Sequence, residues 1–185
     1  MNILVTAASK EGATTEVAES IAEVLRERGL DVTVAAPEHV HGVRRYDAFV
    51  IGSAVYMGHW LEPATDLLRR SGGRMSGRPV WLFSSGPVGD PNRTLVQKMG
   101  ADPVELPTLL AQTNAREHRM FAGKLAKEKM SRIRRFSLSI LPGFDGDWRN
   151  WAEIEQWAST IADELTAGKH SRRAAQETVV AGQPG

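Results

Sequence analysis

The sequence predicts an α/β fold built on an open, doubly wound parallel sheet. Short apolar segments suited to buried strands alternate with amphipathic helical patterns along the chain. Turns rich in glycine, serine and proline follow the first, third and fourth of these strands. Strands separated by helices are parallel and have right-handed crossovers. We therefore expect five parallel strands in the order 2-1-3-4-5, with helices on both faces and ligands at the carboxyl ends of the strands.

Composition limits the class of protein. A chain of 185 residues suits one domain, and a net charge of +1 gives no support to nucleic-acid binding. The absence of cysteine excludes disulfides and thiolate chemistry, and it is compatible with a reducing compartment. The N-terminus is unlike a signal peptide, and no segment approaches the roughly 20 apolar residues of a membrane span. We expect a cytoplasmic protein that does not bind nucleic acid.

The first half of the chain is expected to hold three strands and two helices. The apolar run Ile3, Leu4 and Val5 forms the first strand, and a helical pattern follows Thr15 and ends near Gly29. Further apolar segments indicate strands at residues 30–36 and 47–53. A turn at residues 54–59 leads into a helix that starts near Trp60 or Leu61, and Gly72, Gly73 and Gly77 break the chain after it.

The second half is predicted in the same way. We expect a strand at residues 79–84, short helices near 95–99 and 106–112, a strand at 117–122, and a helix from Asp147 or Trp148 to Leu165. The domain then covers residues 1–168 with a basic insertion at about 124–146. Residues 169–185 lack sustained periodicity and are expected to form a flexible tail.

The turn after the first strand has the composition of an anion site. The amides of a first helical turn lack intrahelical partners and carry the positive end of the helix dipole, so they attract a phosphate. Thr14 and Thr15 supply hydroxyl donors there. The alternative is that Ser9, Thr14 and Thr15 only cap the helix and Gly12 only makes the turn. The spacing is neither GxGxxG nor GxxxxGK[ST], which leaves a site for one terminal phosphate.

Three motifs resemble those of flavodoxin-like FMN-binding proteins. Residues 9–14, SKEGAT, are similar to the S/T-x-x-G-x-T phosphate loop, and residues 51–60, IGSAVYMGHW, resemble the loop that contacts the isoalloxazine. Residues 121–125, the basic segment after them, and residues 146–151, GDWRNW, resemble the branch that contains menaquinone-dependent protoporphyrinogen oxidase. The resemblance extends to about residue 166.

The resemblance implies FMN as the cofactor. A flavin needs a dry, partly aromatic slot with backbone donors and acceptors near its ring nitrogens, and Tyr56 can cover one ring face. The alternative for Tyr56 and Trp60 is ordinary packing over the sheet edge. The implied phosphate ligands are Ser9, Gly12, Ala13, Thr14 and Thr15, and the implied isoalloxazine contacts are Ala54, Val55, Tyr56, Met57, Gly58, Ser85, Gly86, Pro87 and Val88.

The resemblance also implies an FMN-dependent oxidoreductase that passes electrons from a substrate to a quinone. Residues 84–91 contain no aromatic side chain, which leaves room beside the ring for a flat quinone or porphyrin substrate. One alternative is a flavodoxin-type electron-transfer protein that serves redox partner proteins and has no small-molecule substrate of its own. Another is a fold without cofactor that serves in interaction or regulation.

Histidines offer one candidate for chemistry and no metal site. His59 lies in the second turn and could exchange a proton near the flavin, although a polar turn residue without such a role is the alternative. The remaining histidines show no metal-ligand spacing, so no metal is predicted: His39, His41, His118 and His170.

The basic segment has three interpretations. Residues 123–144 carry six lysines and arginines against the single acid Glu128, interleaved with bulky apolar residues. Residues 124–141 could make a peripheral contact with the anionic inner face of a membrane. Alternatively, the segment packs its apolar side on the domain, or it forms a basic rim that attracts porphyrin propionates.

Overall fold

The computed structural model describes residues 1–86, 102–125 and 146–181. The elements alternate between strand and helix through most of the chain. In order they are β1 (Asn2–Ala8), α1 (Ala13–Glu27), β2 (Asp31–Val34), a 3-10 turn (Pro37–His39), β3 (Ala48–Tyr56), β4 (His59–Trp60), α2 (Glu62–Met75), β5 (Val80–Ser85), α3 (Leu106–Thr113), β6 (Glu117–Phe121), β7 (Lys124–Leu125), β8 (Gly146–Asp147) and α4 (Trp151–Ala181).

The parallel sheet has the predicted order. Its strands run β2-β1-β3-β5-β6, and each neighbouring pair is parallel. Counted along the chain, this is the order 2-1-3-4-5, so the predicted fold class and strand order are confirmed. The two-residue strand β4 pairs antiparallel with the end of β3 and makes the sheet six-stranded. Strands β7 and β8 form a separate antiparallel pair.

Helices cover both faces of the sheet, as predicted. Helices α1 and α4 pack on one face, where Ile21 and Ile161 are fully buried with the aromatic side chains of Phe83, Phe121 and Trp157. Helices α2 and α3 pack on the other face. Two apolar layers bury the sheet between them, and burial of apolar area is the main favourable term in folding.

The turn predicted at residues 54–59 is wrong in its first half. Strand β3 continues through Tyr56, and the chain then turns back so that β4 pairs with the end of β3. Tyr56 lies opposite His59, and Val55 lies opposite Trp60. Only Met57 and Gly58 form the turn, and both have positive φ, at 51° and 81°. A two-residue hairpin turn needs this left-handed conformation, which glycine adopts without steric cost.

The chain break predicted at Gly72 and Gly73 is also wrong, because α2 continues through both glycines to Met75. Gly72 lies against α3, and a Cβ atom at this position would be 3.5 Å from the Cβ atom of Gln112. The glycine therefore lies in the contact between two helices. Gly77, with φ of 85°, follows the end of α2 as expected.

Several boundaries shift at the ends of elements. Helix α1 begins at Ala13, before the predicted start, and α4 begins at Trp151 and continues to Ala181. Helix α3 confirms the helix expected near residues 106–112. The domain boundary at residue 168 and the flexibility of residues 169–185 stay predictions. The helix expected near residues 95–99 and most of the basic segment lie outside the described residues.

Replacement of Gly52 by alanine tests the packing at the centre of the sheet. A Cβ atom at Gly52 would overlap the ring of Phe83 on the neighbouring strand. We expect Gly52→Ala to lower the free energy of unfolding by about 1–3 kcal/mol, because overpacking displaces a buried ring. Urea denaturation measures the change.

The matched control is Gly73→Ala. No described atom lies within 4 Å of a Cβ atom at Gly73, which is in the interior of α2. This substitution should stabilise the protein by roughly 0.5–1 kcal/mol, since alanine is favoured over glycine in a helix. Equal effects of the two substitutions would contradict the packing role of Gly52.

Candidate functional site at the carboxyl edge of the sheet

The first turn, between β1 and α1, is a compact loop that ends at a helix N-terminus. Gly12 precedes α1 with φ of 85°, and the Thr14 N–H donates to the Ser9 hydroxyl across 3.3 Å. Thr14 is 1% exposed, whereas Thr15 is half-buried. Ser9 and Gly12 thus have the capping and turn roles of the simpler interpretation. The Ser9 hydroxyl already accepts the Thr14 N–H, and the other amides of the first turn can donate to an anion because they have no intrahelical acceptor.

The second turn is the hairpin of Met57 and Gly58, and it lies beside the first. The Nζ atom of Lys10 is 4.5 Å from the centroid of the Tyr56 ring, a cation–π contact between the two turns. Met57 is 98% exposed at the tip of the hairpin. No described atom lies within 4 Å of a Cβ atom built on Gly12 or Gly58, so there is open space beside both glycines.

The third turn begins where β5 ends. Ser85 is buried, and the Gly86 N–H donates to the Phe121 carbonyl across 2.9 Å. Gly86 has φ of 138°, and a Cβ atom there would be 3.6 Å from the Val55 carbonyl oxygen. The third turn therefore starts against the strand that carries the second. Pro87 and Val88 lie outside the described residues.

These contacts bring the predicted ligand residues among those described, from Ser9 to Gly86, together at one edge of the sheet. The carboxyl ends of β1, β3 and β5 lie side by side, with Ala8 opposite Ser53 and Ala54 opposite Ser85. The first two turns and the start of the third therefore lie at the same edge, as the predicted strand order requires. That the individual residues bind a cofactor stays a prediction.

His59 is exposed on β4 and is held by a carboxylate. Its Nδ1 atom lies 2.6 Å from Oε1 of Glu105, and Oε2 of Glu105 accepts the Trp60 N–H at 3.3 Å. The Val104 N–H donates to the Gly58 carbonyl across 3.0 Å. Burial acts to raise the pKa of Glu105, but hydrogen bonds from His59 and backbone amides outweigh it and lower that pKa. The hairpin is thus fixed from outside, and proton exchange by His59 stays a prediction.

A polar network that the sequence did not reveal lies beneath the hairpin. The Trp60 indole N–H donates to the Ser84 hydroxyl across 2.7 Å, and Nε2 of His118 lies 2.8 Å from the same oxygen. Nδ1 of His118 is 3.7 Å from Asp102. The side chain of His118 is 8% exposed, and this burial lowers its pKa although Asp102 and Glu117 act in the opposite direction. No sequence spacing signals these contacts, because four separate segments contribute to them.

A second feature that the sequence did not reveal is an ionic cluster beside the first turn. Arg149 bonds both carboxylate oxygens of Asp147, at 2.8 and 2.6 Å, in a bidentate fork. It also donates to the Ala13 carbonyl at 3.0 Å and lies 2.8 Å from the Glu16 carboxylate. Lys124 is 3.5 Å from Glu16 and 3.9 Å from Asp147. We name Glu16, Lys124, Asp147 and Arg149 the ionic cluster.

The charges of the ionic cluster support one another. Hydrogen bonds from Arg149 hold the pKa of Asp147 below its usual range. Burial acts to raise the pKa of Glu16, but Arg149 and Lys124 outweigh it and lower that pKa. The Arg149 side chain is only 1% exposed, and the two carboxylates outweigh its burial and raise its pKa. Glu16, Asp147 and Arg149 are therefore charged at neutral pH.

Three findings concern metal binding and membrane contact. Within residues 1–86, 102–125 and 146–181, no three histidine, aspartate or glutamate side chains gather closely enough to hold a metal ion. No helix in these ranges combines the length and the apolar character needed to cross a membrane. Lys124, predicted as the start of a membrane-contacting segment, has its ammonium beside the acids of the ionic cluster.

The pH dependence of stability tests the burial of His118. Since the pKa of His118 is lowered in the folded state, the unfolded chain takes up a proton near pH 6.5 before the folded protein does. This contribution to stability is therefore complete above about pH 6.5 and is lost as the pH falls towards the folded-state pKa. Urea denaturation between pH 8 and pH 5 should show a shallower loss for His118→Gln than for the wild type. Parallel curves that differ only by a constant offset would contradict the prediction.

Comparisons with known proteins were consistent with this geometry. The family model described as the flavodoxin domain matches residues 4–142. An archaeal flavodoxin structure superposes with a TM-score of 0.59 at 15% identity, over 90% of this chain and 99% of that chain. The flavodoxin of Streptococcus pneumonia TIGR4 gives a TM-score of 0.56 at 18% identity, over 91% and 99%.

The fold is also found as a part of longer proteins. The Flv1 flavodiiron core of Synechocystis sp. PCC6803 superposes with a TM-score of 0.62 at 16% identity, over 91% of this chain and 36% of that one. A search of curated protein sequences found no match. Flavodoxin-family proteins bind FMN. The match of the family model over most of the chain, together with the sheet order, shows that this chain belongs to the flavodoxin domain family.

Proposed function

We propose that this protein binds FMN at the carboxyl edge of its sheet and transfers electrons through it. The observation that carries the proposal is that the turns after β1 and β3 lie together beside the end of β5, with no neighbouring described atom within 4 Å of a Cβ atom at Gly12 or Gly58. The phosphate end would be held by Ser9, Gly12, Ala13, Thr14 and Thr15. The isoalloxazine end would lie against residues 54–58 and 85–88.

The residues present fit an FMN group. A phosphate needs converging donors, and the N-terminal turn of α1 offers backbone amides together with the Thr14 and Thr15 hydroxyls. A glycine at position 12 lets the backbone approach an anion closely because no side chain intervenes. At the other end, Tyr56 offers an aromatic face, and Lys10 near its ring adds positive charge.

When bound, FMN supplies the reversible uptake and release of electrons. The protein supplies position and a fixed electrostatic environment. The Glu105 carboxylate and the Val104 amide hold the hairpin in one place, so the ring contacts do not have to be ordered anew when the cofactor binds. His59, on the same hairpin, is the candidate for holding a proton near the ring.

The surface around the hairpin favours a protein partner over a dedicated substrate pocket. Met57 is 98% exposed and Val104 is 69% exposed, and the Val104 amide is bonded to Gly58, next to Met57. These two residues present apolar surface beside the candidate ring site, where a partner protein could make contact. Electron transfer to a redox partner protein is therefore the leading form of the proposal.

The second candidate is oxidation of a porphyrinogen-type substrate with a quinone as electron acceptor. Its support is the resemblance of residues 121–125 and 146–151 to the protoporphyrinogen oxidase branch, and the lack of aromatic residues at 84–91. The basic residues at 124–141 would attract propionate groups or the anionic inner face of a membrane. In this form the protein acts in the cytoplasm as a peripheral membrane enzyme.

Substitution of Thr14 tests the phosphate end. Thr14→Val keeps the shape of the side chain and removes one hydroxyl donor. A hydrogen bond to a charged group contributes about 1.5–3 kcal/mol, so FMN should bind roughly tenfold to a hundredfold more weakly. Riboflavin, which lacks the phosphate, should bind the variant and the wild type equally. Equilibrium dialysis with both flavins measures this, and Thr65→Val on α2 is the control.

Reductive titration separates the two forms of the proposal. An electron-transfer protein should take up electrons one at a time, with a distinct absorption spectrum at half reduction. A porphyrinogen oxidase should be reduced by two electrons directly, and the FMN-loaded protein should oxidise protoporphyrinogen in the presence of a menaquinone analogue. Failure of the wild type to bind FMN at all would overturn both forms.

A further inference from the structure

We propose that Arg149 is a positioning residue that prepares the first turn of α1 for the phosphate of FMN and neutralises Glu16 beside it. This inference rests on the proposed function. It concerns a side chain that no phosphate motif includes, since Arg149 follows Ala13 by 136 positions along the chain.

The contacts of Arg149 fix its place at the helix N-terminus. Its Nη1 atom donates to the carbonyl of Ala13, the first residue of α1, across 3.0 Å. The guanidinium is also 4.3 Å from the centroid of the Trp151 ring, and its fork to Asp147 leaves little freedom of rotation. A helical turn rises only about 5.4 Å, so the charge lies within roughly one turn of the helix end.

The charge of Glu16 explains why such a cation is needed. Glu16 lies in the first turn of α1, and a carboxylate there would repel a phosphate dianion bound at the helix end. Arg149 lies 2.8 Å from that carboxylate and Lys124 lies 3.5 Å from it. Two cations and two anions balance within the ionic cluster. Loss of Arg149 would therefore leave a net negative charge on the ionic cluster. Charges are only partly screened over distances up to about 8 Å at physiological salt, so this charge would repel a phosphate bound at the start of α1.

The ionic cluster also joins separate parts of the chain. Lys124 on β7 and Asp147 on β8 are paired in register across residues 126–145, which lie outside the described residues. Arg149 connects this pair of strands to α1. The positions of α1 and of the β7–β8 pair are therefore coupled through a side chain that is 1% exposed.

The test is the ratio of the dissociation constants for riboflavin and FMN. Arg149→Gln should raise the dissociation constant of FMN about tenfold and leave that of riboflavin unchanged, so the ratio falls about tenfold. The double variant Arg149→Gln with Glu16→Gln should recover most of the loss, because the unneutralised carboxylate is removed. Both constants are measured by quenching of flavin fluorescence at fixed salt.

The matched control is Arg28→Gln. Arg28 also connects α1 to a carboxylate, that of Asp163 at 2.7 Å, but it lies just past the opposite end of the helix. Its replacement should leave the ratio unchanged. If Arg149→Gln does not fold, Glu16→Gln alone decides the question, because removal of the acid should tighten FMN binding several-fold without any change for riboflavin.

The inference is overturned by two results. An unchanged ratio in Arg149→Gln, or in Glu16→Gln where the arginine variant does not fold, would show that the ionic cluster does not act on the phosphate. Equal weakening of FMN and riboflavin would show a purely structural role. A wild type that binds neither flavin would instead overturn the proposed function, so the two failures are distinguishable.

Discussion

The structure depends most on the pairing of β3 with neighbours on both sides. A buried strand must satisfy its backbone hydrogen-bonding groups, and β3 does so through parallel ladders to β1 and β5. The absence of a side chain at Gly52 lets the ring of Phe83 lie over the centre of this strand. Because β3 extends past its parallel partners, its last residues pair with β4 and form the hairpin. The same strand thus sets both the core and the candidate site.

The candidate site is held by contacts that come from outside its own turns. Glu105 and Val104 hold the hairpin, the Ser84–His118 network anchors Trp60, and the ionic cluster holds the N-terminus of α1. Support of this kind keeps a binding site close to its bound geometry, which lowers the entropy lost on binding. The turns themselves supply small residues and backbone amides, and the surrounding elements supply rigidity and charge.

Most of the fold could be predicted because its signals are local. Apolar runs and helical periodicity indicated the five parallel strands and the position of α3, and the strand order is the usual one for an open doubly wound sheet. The errors occurred where a residue has a local preference that a tertiary contact overrides. Gly72 was expected to break a helix, but α2 continues through it and packs against α3. Tyr56 was expected in a turn, but antiparallel pairing with His59 keeps it in the strand.

By itself, the sequence determined the fold class and the resemblance to flavodoxin-like proteins, and it predicted a phosphate-type turn at residues 9–15, since each signal lies in residues that are neighbours along the chain. Only the tertiary structure decided that Arg149 lies against Ala13, that His118 bonds Ser84, and that Lys124 neutralises acids of its own domain. These contacts join segments that are far apart in sequence. Their existence depends on which strands and helices the folded sheet brings together, and no local pattern of residues carries that information.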